Sequence, residues 1–395
     1  MESATSSSNE EFSVVLGGPL YEIYRRSRLL QPPIELVKRR MIATILVTWL
    51  PLLVLTAAAG ATTGGFKVPF LYDLDVHVRF LLALPLLIGA ELFVHRRMRL
   101  LVLQFSERGI VVPEDRPRYD AIIDATVRMR NSIPVEVGLL AVSTTLGYWL
   151  WRQHISLHVG TWYAAMDAAG EEHLTLAGWW YAFVSLNLFR FVLLRWYYRI
   201  VIWYVFLFRV SRLSLDLNPL HPDRAGGIGF VGSSARALTP VLLAHTLAIS
   251  GAIGGRILHE NAKLPQFQTE IALVIGLLAV LVILPLTFFA VALENARRQG
   301  TREFGLLASQ YVDGFRAKWL HGKPPEGEQL VGSADIQSLA DLGNAYGVVQ
   351  EMRMLPGNWQ TVLRLAIVVA LPFAPLLLTM FPFNELIGRV VGMLV

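Results

Sequence analysis

The chain has 395 residues, 54% of them hydrophobic and only 16% charged, with a mean hydropathy of +0.48. Soluble domains carry about a quarter charged residues, and here the deficit is concentrated in long apolar runs, which is the composition of a multi-pass membrane protein. Cysteine is absent, excluding disulfides, thiol catalysis and Cys-ligated metal centres. The formal charge of +5 sits mostly in Arg and Lys flanking the apolar runs instead of in one patch, so no nucleic-acid partner is expected.

In chain order, residues 1–40 read as a cytoplasmic N-terminal segment, with a Ser-rich start and a basic stretch at Lys38-Arg39-Arg40. No signal peptide precedes the first apolar run. A transmembrane bundle is expected over 41–293, with spans at about 41–61, 78–95, 135–152, 176–195, 237–256 and 270–293. The fourth continues without Gly or Pro to about 215, reading as one helix whose cytoplasmic third buries Trp203, Tyr204, Phe206 and Phe208. Continuations of spans 2 and 6 are its expected partners. A cytoplasmic helical segment is expected over 294–360. Ser333 and Asp335 would cap a helix there, along which Ile336, Leu339, Leu342, Tyr346, Val349 and Met352 recur at helical spacing. Residues 361–395 then supply a seventh span, about 362–382, and a short interfacial helix.

Arginine and lysine placement sets the orientation. The segments before span 1 and between spans 2 and 3, 4 and 5, and 6 and 7 are rich in both, and the alternate loops are poor. The positive-inside rule therefore puts the N-terminus in the cytoplasm and, with seven spans, the C-terminus outside. The fold class expected is an all-α polytopic bundle with helices extended into a cytoplasmic helical region.

Two groups of residues are candidates for function. Arg190, Glu91 and His245 fall inside expected spans, with Asn187 one turn from Arg190. Buried charge costs at least a few kcal/mol unless paired or hydrated, so Arg190 and Glu91 are expected to pair at a polar constriction that His245 also lines. The alternative is an ion pair that only locks two helices, and for His245 a structural histidine. Arg195 and Glu294 lie near the inner interface, where snorkelling accounts for them. The second group is the loop Asn218–Phe230. Its amides around Gly226 and Gly227, with Arg224, could form an anion-binding nest, and His221 and Asp223 could hold a metal or act as acid and base. The competing reading is a rigid re-entry turn. Two ligands make an incomplete metal site, so the metal is left open. No catalytic set and no cofactor motif is present: the glycine spacing matches neither a phosphate-binding loop nor a dinucleotide fingerprint.

His221-Pro222-Asp223 is similar to the tripeptide of J-domain co-chaperones, but the likeness covers three residues and lacks that domain's soluble helices. The chain as a whole resembles uncharacterised bacterial multi-pass inner-membrane proteins, which implies that location and no particular activity. The function expected is a homo-oligomeric channel or transporter for a small ion or solute, surrounded by the lipid bilayer and weakly favouring anions. The alternatives are an enzyme acting at the cytoplasmic face on a phosphate-bearing lipid, and a non-catalytic scaffold or sensor.

Overall fold

The computed structural model describes residues 13, 15, 17, 36–154, 161–166, 172–322 and 327–380. It is almost entirely helical, with 77% of the described residues in helices. The long helices are α1 (Val37–Ala58), α2 (Leu74–Glu107), α3 (Arg116–Arg130), α4 (Ile133–His154), α5 (Leu176–Val210), α6 (Gly229–His259), α7 (Leu264–Leu320), α8 (Ala334–Gln350) and α9 (Trp359–Thr379). Between α4 and α5 lies a short antiparallel hairpin, β1 (Ala164–Met166) against β2 (Glu172–Leu174), with Ala165 opposite His173.

Six helices, α1, α2, α5, α6, α7 and α9, are long and apolar enough to cross a membrane. The helix expected as the third span is present as α4, and the apolar stretch described in it is the shorter Ile133–Thr145. The expected interfacial helix after residue 382 and most of the N-terminal segment lie outside the described residues. Prolines shape the spans as their chemistry requires. Pro285 and the pair Pro372 and Pro375 fall in tightened, three-residue-per-turn stretches at Leu284–Phe289 and Leu371–Thr379, where the missing amide is absorbed. Widened turns occur at Val78–Ala83 and Tyr181–Ser185, and Phe80 and Tyr181 meet edge to face across them.

The helix expected to continue without a break from the fourth span is α5, and it ends at Val210, short of residue 215. Beyond it the chain runs extended: Asp216 N donates to Ile110 O at 2.8 Å, and Ser214 N to Asp115 Oδ2 at 2.7 Å. Trp203 and Phe206 are buried as expected, whereas Phe208 remains 42% exposed. Their neighbours differ in part from expectation. Tyr119 of α3 packs on Phe206 and on Phe105 of α2, and Tyr204 O–H donates to Leu281 O. The α3 stretch carries Arg116, Arg118, Asp120, Asp124, Arg128 and Arg130 and lies between the second and third expected spans. It is a helix because Tyr119, Ile123 and Thr126 recur at one-turn spacing and supply a buried face.

α8 pairs with the far half of α7. Ser333 makes no side-chain cap there, and Asp335 is turned to α7, accepting from Lys318 Nζ at 2.9 Å and Trp319 Nε1 at 2.8 Å. Both expected caps are therefore corrected: two strong donors on α7 outcompete the α8 amides for the carboxylate. Close packing of α6 on α2 depends on Gly251, where an added Cβ would lie 2.8 Å from Val78 Cβ.

Candidate functional site

On α5, Val192, Arg195, Trp196, Arg199, Trp203, Phe206 and Val210 are buried and recur at spacings of three and four. They form one inward stripe, and two arginines belong to it. Arg195 and Arg199 are one turn apart, each only 5% exposed. Facing them on α2 is Glu91. At the first turns of α1 and α4 stand Arg40 and Glu136, also buried.

These five side chains form one network. Glu91 Oε1 accepts from Arg199 Nη1 at 2.9 Å and from Arg195 Nη1 at 3.3 Å. Its Oε2 accepts from Arg40 Nη1 at 2.5 Å. Arg195 Nε donates to Glu136 Oε1 at 2.8 Å. Arg199 also lies over the Trp196 ring, 5.0 Å from its centroid, and Trp196 Nε1 donates to Leu87 O at 3.0 Å. Among the described residues, three guanidinium groups therefore face two carboxylates. Backbone carbonyls of the N-terminal segment take further donors: Arg195 Nη2 bonds Gly17 O at 3.0 Å, and Arg199 Nη2 bonds Val15 O at 3.1 Å. Arg130 Nη1 donates to Ser13 O at 2.6 Å, and His95 Nδ1 lies 2.8 Å from Ser13 Oγ.

The network lies toward the arginine-rich end of the bundle. Arg40 and Glu136 open their helices there, and Glu91 is about 25 Å along α2 from Leu74 at 1.5 Å per residue. The pairing expected for Glu91 is thus corrected. Its partners are Arg40, Arg195 and Arg199, because Arg190 occupies the other side of α5 from the inward stripe. Arg195 is likewise a buried, fully engaged arginine and not a snorkelling one. Arg190 is half-buried and makes no ion pair among the described residues. Asn187 Nδ2 donates to Thr144 Oγ1 of α4 at 3.2 Å. His245 Nδ1 is 3.2 Å from Tyr197 Oη, and Tyr197 follows Arg190 by two turns along α5. Among the described residues, no hydrogen bond or ion pair joins Arg190, Asn187 or His245 to Glu91.

The missed members, Arg40, Glu136, Arg195 and Arg199, left one usable signal. Arg195 and Arg199 share the periodicity of Trp196 and Trp203, and a cation in phase with buried tryptophans needs a buried partner.

The loop between α5 and α6 fills its own nest. Asp223 Oδ1 accepts from Ala225 N at 2.8 Å and Gly227 N at 3.1 Å, and Oδ2 accepts from Gly229 N at 2.8 Å. His221 Nδ1 lies 2.8 Å from Asp223 Oδ1. Burial alone would raise the Asp223 pKa. The amides of Ala225, Gly229 and Gly227, with His221, outweigh it and hold the carboxyl below its ordinary range. Gly226 and Gly227, at φ 62° and 95°, supply the left-handed backbone that aims these amides inward. Arg224 instead pairs with Glu351 at 2.7 Å, and its carbonyl accepts from Arg353 N at 2.7 Å. The amides expected to bind an external anion thus hold a carboxylate of the chain itself. Among the described residues no group of three or more acidic or histidine side chains is placed to hold a metal ion.

No family model, curated protein or solved structure matches the chain.

Proposed function

We propose that the protein is a membrane transport protein, a channel or transporter for a small anionic ion or solute, with the buried arginine network as its charged constriction. The observation that supports this reading is the convergence of three buried guanidinium groups, which among the described residues face two carboxylates and are capped by neutral carbonyls of residues 15 and 17. Carbonyls satisfy guanidinium donors without cancelling their charge, so the site keeps a net attraction for an anion. Arg190, half-buried and without an ion pair among the described residues, supplies a second cationic step along α5, beside Asn187 and the Tyr197–His245 contact. In this reading the network faces the cytoplasm of a bacterial inner membrane, as the positive-inside rule expects, and the assembly is homo-oligomeric.

The test is flux in liposomes containing the full chain, with chloride, nitrate and inorganic phosphate as probes. Anion flux above that of empty vesicles is expected, with a drop of at least tenfold in Arg199→Gln and in Arg190→Ala. Flux at the empty-vesicle level for all three probes overturns the reading, and unchanged flux in Arg190→Ala removes that residue from the route.

A second reading, a non-catalytic scaffold, is favoured by the apolar side chains exposed on the α7–α8 pair, among them Leu306, Leu320 and Ile336. It predicts membrane-protein partners retained through this pair and no flux. The enzymatic reading is weakened by Asp223, whose oxygens are committed to the loop's own amides.

A further inference from the structure

α7 leaves its apolar stretch at Leu293, and the next two turns change chemistry abruptly. Asn295, Arg297, Arg298, Gln299, Thr301 and Arg302, together with Gln350 of α8, line an open cavity of about 690 Å³. Glu294 binds the Nε of Arg297 at 3.0 Å and of Arg298 at 2.6 Å, leaving the remaining guanidinium nitrogens of both to the cavity. Arg302 makes no ion pair among the described residues, so the wall carries three arginines beside two carboxylates, Glu294 and Glu303, the latter accepting from Gln299 Nε2 at 2.8 Å.

The depth and direction of this cavity identify its ligand class. Val291, 72% exposed, precedes Arg298 by seven residues, two helical turns, and so shares its face. Leu273, Leu277 and Val280, earlier on α7, are also strongly exposed, which is what a lipid-facing surface presents. Arg298 lies five residues past Leu293, about 7.5 Å at 1.5 Å per residue, with Arg302 one turn farther out. That places it within the headgroup layer, which adds roughly 5–8 Å to each side of the hydrocarbon core. A basic concavity at headgroup depth on a lipid-facing helix has the charge, size and height to receive a phosphate.

We propose that Arg298 and Arg302, with Arg297, Asn295, Gln299 and Gln350, form a binding site for a phosphate oxyanion, supplied by the headgroup of an anionic lipid in the adjacent leaflet. The site is separate from the buried network, so it stands whether or not the protein conducts anions.

The experiment uses the full chain in a neutral detergent and follows its thermal unfolding midpoint. Phosphatidylglycerol, phosphatidylcholine and inorganic phosphate are added separately, and retained lipid is counted by native mass spectrometry. Expected is a saturable rise of several degrees with phosphatidylglycerol, little with phosphatidylcholine, and one or more retained anionic lipids. In an Arg298→Ala/Arg302→Ala variant, which alters only surface side chains, at least half of the rise and the retained lipid should be lost. Arg316→Ala, an exposed arginine farther along α7, should keep both. An equal rise in the double variant, or with phosphatidylcholine, overturns the site. An equal rise with inorganic phosphate at matched concentration overturns the lipid as the source and assigns the cavity to a soluble phosphate.

Discussion

Glu91 is the residue on which the buried network depends, since three arginines use its two oxygens. Removing one member of a buried ion pair strands the others, at a cost of about 3–5 kcal/mol. Glu91→Gln keeps the shape and loses the charge, so it should unfold in detergent with a loss of that order. Combining it with Arg199→Met should recover part of the loss, and chemical denaturation of the single and double variants measures both. Full additivity of the two losses would show that the pair is not coupled. Asp223 gives a pH prediction. Its folded pKa is held below the ordinary value, so its contribution to stability is fully present above the ordinary aspartate range, near pH 4. It is lost as pH falls through the lowered folded value. Hydrogen exchange at the amides of Ala225, Gly227 and Gly229, corrected for intrinsic rates, should therefore keep its protection down to about pH 4 and lose it below. In Asp223→Ala the same amides should exchange freely at neutral pH.

At the scale of elements, the packing of α6 on α2 turns on Gly251. A Cβ there would approach Val78 Cβ to 2.8 Å, an atom fixed to the backbone that cannot swing aside. Gly251→Ala should cost about 1–3 kcal/mol by overpacking, read as a lowered unfolding midpoint, and Val78→Ala should restore most of it. No change in the single variant would mean that the helices separate there at no cost. The elements also show what local pattern conveys. Proline marked the tightened turns at 284–289 and 371–379, because a missing amide acts at its own position. The α3 helix was hidden, since its polar residues outnumber the three that it buries. The end of α5 at Val210 was hidden too: residues 211–215 carry no breaker, and it is Asp115 and Ile110 that draw the chain into an extended path.

For the whole molecule, the absence of cysteine makes the orientation directly testable. Single-cysteine variants at Ser333, in the loop before α8, and at Gly64, between α1 and α2, should be labelled by an impermeant maleimide from opposite sides of the membrane. Ser333→Cys is expected to react only from the cytoplasmic side. Labelling of both from the same side would contradict the positive-inside assignment.

The sequence by itself determined the all-helical class, the presence of helices long and apolar enough to cross a membrane, and the continuous helix through Arg195 and Arg199. Those properties follow from hydropathy and periodicity, which act over one helical turn and are written in neighbouring residues. Only the tertiary structure decided which charges meet. Arg40, Glu91, Glu136 and Arg199 come from four helices, and their contacts span separations of 51 to 108 residues in the chain. Depth along a helix can be counted from sequence, but partner choice depends on rotation about its axis, and a rotation that turns Arg195 and Arg199 inward turns Arg190 away.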